Sequence, residues 1–208
     1  YINNGKDTKL VSSGRTDAFV HANNQKAHVD ISVNITEEKL KRALNSLIPN
    51  DIYVKNAKIV QDNFHARFMV KRKEYVYILN MGEYNPIKRN YEYQYCKKLD
   101  VDKMKEAIKY MEGTHDFQNL SSNEIKEKST IKTIYSAKIK KEKDKLIFTF
   151  CGNGFLRYMV RVMVGVLIEV GKGKIDVDDI PLIIDGTYNK NYKKVANPEG
   201  LYLNNVEY

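Results

Sequence analysis

Residues 131–170 read IKTIYSAKIKKEKDKLIFTFCGNGFLRYMVRVMVGVLIEV, and the order of patterns in this stretch sets the fold class. Residues 131–139 are β-prone, 140–145 are all charged, and 146–151 are β-prone again. That predicts two strands joined by a polar turn. Residues 155–170 are then apolar except for Arg157, Tyr158, Arg161 and Glu169. The run falls short of the ~20 residues that cross a bilayer, so it reads as a helix of the core.

The same alternation extends upstream. Residues 66–79 are β-prone, with Tyr75 and Tyr77 on one strand face and Val76 and Ile78 on the other. Residues 26–33 (KAHVDISV) read as a strand, after which Thr36 caps a helix to Leu47, with Glu37 and Glu38 in its first turn. Pro49, Asn50 and Asp51 end that helix, and residues 52–60 follow in a strand-dominated stretch. Asp100 is the expected N-cap of a second helix, with Val101, Met104, Ile108 and Met111 as its apolar stripe and Gly113 as its stop. Residues 117–130 read as a solvated loop, about 176–185 as a short helix, then a Lys, Asn and Tyr linker, and 201–206 as a final strand. Strands and helices in irregular order, without a βαβ rhythm, predict an α+β fold with a largely antiparallel sheet.

With 208 residues, 42% hydrophobic, the chain can bury a core as one large domain or two small ones. Lys and Arg outnumber Asp and Glu by 35 to 26, a net charge of +9 that favours a polyanionic partner. The two cysteines, Cys96 and Cys151, are far apart and outside any CxxC spacing, which argues against a disulfide scaffold and a zinc site. A reduced cytoplasm is the default, and no signal peptide or membrane span is read. The chain opens at Tyr1 rather than Met, so an upstream N-terminus is expected. No GxGxxG, GxxxxGK[ST] or HExxH occurs, which leaves nucleotide-cofactor and zinc-protease readings without support.

Five clusters carry polar chemistry. Residues 13–22 (SGRTDAFVHA) place a cation, a hydroxyl and a carboxylate directly after a glycine; in isolation such a stretch is more often a turn or cap. Residues 63–68 (NFHARF), with His65 and Arg67, lead into 71–77, where aromatics and cations interleave as on a surface that stacks bases and holds phosphates; an ordinary strand with solvated lysines fits as well. Residues 113–117 (GTHDF) alone read as a turn. Residues 152–161 (GNGFLRYMVR) put Arg157 and Arg161 at i and i+4, one face of the expected helix. Solvent snorkelling suits Arg157 better than Arg161, which stands among Met159, Val160, Val162 and Met163. Residues 198–203 (PEGLYL) read as a turn entering the last strand.

Taken in order, the five clusters resemble the tRNA pseudouridine synthase A (TruA) family over nearly the whole chain: GRTDAFVHA against the family's GRTDAGVHA, then FHAR, GTHDF, GNGFLRxMVR and GLYL. The resemblance implies a pseudouridine synthase fold with an active-site cleft across the sheet. The catalytic region would span 1–208, with two subdomains at about 1–80 and 81–208. It implies Asp17 as the catalytic carboxylate, acting at C6, C1′ or C2′, and Arg161 as its charge partner. Tyr75 would stack on a flipped uridine and assist loss of the C5 proton, and Leu201 would pack on the other side of the base. Arg15 would enter the RNA stem, His21 and His65 would make backbone or RNA hydrogen bonds, and Arg67 and Arg157 would hold RNA. The implied substrate is the 3′ side of the tRNA anticodon stem-loop and the implied assembly a homodimer, with no cofactor and no metal.

Two departures qualify the match. The family begins with a strand, loop and helix upstream of the GRTD turn, absent from these residues. Phe19 stands where the family has Gly, and it would strain or crowd the loop if that position takes positive φ or meets RNA closely. A catalytically impaired RNA-binding paralogue, or a pseudouridine synthase acting on a different RNA, are the alternative readings.

Overall fold

A computed structural model describes residues 2–3, 5–122, 129–190 and 192–208. In chain order the elements are β1 (Val11–Ser12), β2 (His21–Ala22), β3 (Ala27–His28), α1 (Glu37–Asn45), β4 (Arg72–Asn80), β5 (Tyr93–Gln94), α2 (Val101–Ala107), β6 (Gly113–Asp116), β7 (Ile131–Glu142), β8 (Lys145–Gly152), α3 (Met159–Gly171), α4 (Asp179–Asp185) and β9 (Leu201–Glu207). Short 3₁₀ turns extend α2 over Ile108–Met111 and precede β9 at Pro198–Gly200. The chain forms two compact units, one of residues 1–14 and 26–69, the other of 15–25 and 70–208.

The first unit holds β1 paired antiparallel with β3, and α1. The Thr36 hydroxyl accepts the Lys39 N–H at 3.4 Å, which satisfies one of the orphan donors of the first turn of α1. The strand expected over 26–33 is confined to Ala27–His28, because among the described residues only β1 offers it a partner, and β propensity is realised only against a neighbour. Residues 52–60 take no regular structure, and the β-prone run expected from 66 begins only at Arg72.

The second unit is a mixed, mostly antiparallel sheet in the order β2-β9-β4-β8-β7-β6, with β5 beside β4. Among the described residues, parallel pairing is limited to β2 with β9 and β4 with β5. The two strands expected over 131–151 form a long hairpin that turns at Lys143 and Asp144, tighter than the six-residue turn expected, with Lys143 at φ 53°. The GTHDF turn is instead an edge strand, β6, entered through Gly113 at φ 103°. Asp100 caps α2 as expected, its carboxylate accepting the Lys103 N–H at 3.1 Å. Of the expected 117–130 loop, residues 123–128 lie outside the described residues; the short helix starts at Asp179.

Every residue of α3 except Arg161 is buried, the pattern of a helix that is apolar all round. It packs on α2 and with Tyr77, Phe148 and Phe150 of the sheet in one core. The helix expected from Phe155 starts only at Met159, because Tyr158 stands in the left-handed region at φ 62°. The arginine pair expected on one helix face is therefore broken: Arg161 lies in the first turn of α3 and Arg157 outside the helix. Gly165 is a packing requirement, since a Cβ there would lie 2.0 Å from the Lys194 carbonyl oxygen. The chain around 194–196 thus crosses directly against α3.

Candidate active site

The site is built within the second unit. Asp17 opens a turn closed by the Val20 N–H donating to the Asp17 carbonyl at 3.1 Å. Phe19 is the third residue of that turn, at φ 65°, the positive value a type II turn requires and glycine meets without strain. Within the chain the departure read in the sequence is one of backbone conformation, and the Phe19 side chain is 78% exposed.

The turn is fastened to the sheet just downstream. β2 pairs with β9 with His21 opposite Tyr202 and Ala22 opposite Leu203. The His21 ring stacks on Tyr202 and Tyr91, with centroids at 4.7 and 5.4 Å. Its Nε2 lies 2.8 Å from the Asn90 carbonyl, and the Tyr202 hydroxyl donates to the Tyr91 carbonyl at 2.6 Å. His21 thus contacts a backbone carbonyl of its own chain. Asn23 and Asn24 extend the attachment through their side chains to Asn204 and Asn205.

Arg161 reaches Asp17 from α3. Its Nη1 donates to Asp17 Oδ2 at 2.9 Å, joining residues 144 apart in sequence, with side-chain exposures of 13% and 29%. The same guanidinium donates through Nε to the Ala196 carbonyl at 2.8 Å, while the Ala196 N–H donates to the Arg161 carbonyl at 3.0 Å. The close crossing that Gly165 permits is what delivers this carbonyl. The Tyr158 ring lies against the guanidinium, its centroid 5.0 Å from Cζ, within cation–π range.

Tyr75, on β4, completes the constellation. Its phenol is pushed up to about 12 from 10.0, first by burial and second by the negative charge of Asp17. The hydroxyl is therefore protonated at neutral pH. Its ring meets Phe155 edge-on at 5.0 Å. Leu201, 6% exposed, begins β9 opposite Tyr77, so it shares a sheet face with Tyr75. Tyr77 itself is structural: it is fully buried and its hydroxyl donates to the Asn197 carbonyl at 2.8 Å.

Asp17, Arg161 and Tyr75 are thus brought together. Arg15 is exposed two residues before that turn opens, and Arg157 is exposed with its guanidinium 4.9 Å from the Tyr158 ring centroid. His65 and Arg67 belong to the first unit. There His65 Nδ1 accepts the Arg67 and Phe68 N–H groups, both at 3.2 Å, and its ring stacks on Phe68 at 4.2 Å, so it fastens the 65–68 turn. Arg67 is exposed beside Phe68. A depression of about 500 Å³ in that unit, lined by Ile59, Val60, Gln61, Asn63, Phe64 and Met69, gathers no ionisable group.

Sequence reasoning missed Ala196, Tyr158, Tyr91 and Phe155. Only Gly165 left a legible trace, as a lone glycine in an apolar helix, which marks a close approach. Among the described residues no three His, Cys, Asp or Glu side chains are gathered for a metal, and no helix is long and apolar enough to cross a membrane.

Comparison with known proteins places these residues among relatives. A family model described as tRNA pseudouridine synthase matches residues 107–208. The chain is 42% identical over 207 residues to tRNA pseudouridine synthase A of Anoxybacillus flavithermus, covering 100% of this chain and 84% of the relative. It is 42% identical over 205 residues to tRNA pseudouridine synthase A 2 of Bacillus cereus, covering 98% and 84%. With tRNA pseudouridine synthase A of Limosilactobacillus reuteri it shares 41% identity over 202 residues, covering 96% and 79%.

Proposed function

Because this chain belongs to the tRNA pseudouridine synthase A family and is a tRNA pseudouridine synthase, an isomerase, we propose that Asp17 is its catalytic carboxylate. Its substrate in this reading is a uridine flipped from the 3′ side of the tRNA anticodon stem-loop, and it works as a homodimer. The reaction breaks the N1–C1′ bond, turns the uracil, joins C5 to C1′ and moves the C5 proton, leaving an isomer of unchanged redox state. Extruding the base costs a few kcal/mol, which contacts in the pocket offset.

The observation that carries this reading is the Arg161–Asp17 ion pair. A guanidinium 2.9 Å away gives the carboxylate a charge-assisted partner and fixes its direction. Asp17 acts at C6 or C1′ as a nucleophile or at C2′ as a base. Tyr75 offers its ring to the flipped base, and its phenol, protonated at neutral pH, assists departure of the C5 proton by hydrogen bonding rather than by accepting it; Leu201 offers apolar surface on the same sheet face. Arg15, exposed, enters the RNA stem, Arg157, exposed, holds RNA, and His65 and Arg67 serve RNA from the first unit.

Tritium release from tRNA labelled at uridine C5 tests the assignment. Asp17→Asn abolishes release while tRNA binding stays near wild type; turnover by Asp17→Asn refutes it. Mass-spectrometric mapping of pseudouridine in modified tRNA tests the anticodon stem-loop, and sedimentation tests the dimer.

A second reading, RNA binding without catalysis, draws on Phe19 at φ 65° two residues after Asp17. It requires salt-dependent tRNA binding with no tritium release by the unaltered chain.

A further inference from the structure

We infer that Tyr158 is a positioning residue for the Asp17–Arg161 pair, its ring being the surface over which the Arg161 guanidinium is held. The inference rests on the reading that Asp17 and Arg161 form the reacting site. Two directions of that guanidinium are set in its own plane, Nε toward the Ala196 carbonyl at 2.8 Å and Nη1 toward Asp17 at 2.9 Å. Hydrogen bonds in the plane leave tilting out of it weakly resisted. The Tyr158 ring, 5.0 Å from Cζ, supplies the missing direction and keeps water from one face of the cation.

The backbone at Tyr158 is an independent observation. A tyrosine at φ 62° is strained relative to the right-handed region, and such strain persists only where surrounding contacts over-determine it. Here the ring packs half-buried against the core, and a second guanidinium, that of Arg157, lies 4.9 Å from its centroid. A right-handed Tyr158 would extend α3 by a residue and carry the ring off Arg161. The irregular entry to the helix is therefore what sets the ring in place, and the role belongs to its π face; among the described residues the hydroxyl has a 3.4 Å contact with Arg157 Nη2.

Two substitutions remove the ring differently. Tyr158→Asn keeps a residue that tolerates the left-handed region, and Tyr158→Leu keeps apolar bulk; Tyr158→Phe retains the ring. Turnover is measured by tritium release, normalised to protein folded by circular dichroism. The ring-less variants lose about tenfold in kcat with KM for tRNA within about twofold, and Tyr158→Phe stays within about twofold of wild type. Wild-type kcat in whichever ring-less variant folds, or a Tyr158→Phe loss equal to theirs, overturns the inference. Asp17→Asn in the same assay separates the two claims. Turnover there sinks the reading of the site, whereas an inactive Asp17→Asn beside a fully active Tyr158→Asn sinks only the role of Tyr158.

Discussion

Phe19 and Tyr158 are aromatic residues on either side of the same ion pair, both in the left-handed region, at φ 65° and 62°. Phe19 lies in the turn that carries Asp17 and leaves its side chain 78% exposed. Tyr158 lies at the mouth of the helix that carries Arg161 and has two guanidiniums against its ring. The backbone cost is of the same kind, about 1–2 kcal/mol for a non-glycine residue, yet only at Tyr158 do side-chain contacts offset it. Positive φ alone thus says little about a residue's use; what its side chain touches distinguishes a tolerated irregularity from a positioned group.

The largest effects come from the pair that both regions serve. Asp17→Asn lowers tritium release by about 10³-fold or more, with filter binding to tRNA nearly unchanged. Arg161→Met costs about 10²-fold in kcat, the usual loss when one charge-stabilising donor is removed; an effect no larger than that of Tyr158→Asn would reverse the ranking of the two. Gly165→Ala drives a Cβ against the Lys194 carbonyl, destabilising the fold by about 1–3 kcal/mol and moving the Ala196 carbonyl off Arg161, so melting temperature and kcat fall together.

Smaller effects sharpen the contrast. Tyr75 ionises at about 12 in the folded protein and near 10.0 when exposed, so between those values the unfolded chain has released a proton the native one still holds. Stability on account of Tyr75 is full below 10.0 and is lost as pH rises toward about 12. Alkaline unfolding over that window is shallower in Tyr75→Phe. Finally, Phe19→Gly relieves strain without removing a contact and raises the melting temperature by about 2–4 °C, while Tyr158→Gly, at nearly the same φ, lowers it. Equal shifts in the two variants would erase the distinction between the regions.

Much of the fold was legible because it rests on local pattern. Alternation gave β4, β7 and β8, the cap of Asp100 gave α2, and the apolar run gave α3, each a property of neighbouring residues. Two failures share one cause: residues 26–33 and 52–60 have strand-like composition, but strands are made by partners that composition does not supply. The start of α3 failed for a different reason, since a left-handed tyrosine has no signature in sequence.

For the site, the sequence by itself determined which groups were available: a carboxylate after a Gly-Arg-Thr turn, one arginine inside an apolar helix, and a tyrosine on a strand face. Only the tertiary structure decided that residues 144 apart meet at 2.9 Å, that Ala196 and Tyr158 hold the guanidinium between them, and that Arg157 lies outside the helix that carries Arg161. Residue types and their periods are local quantities, whereas the direction of a charged side chain is set by whichever distant backbone and ring close around it.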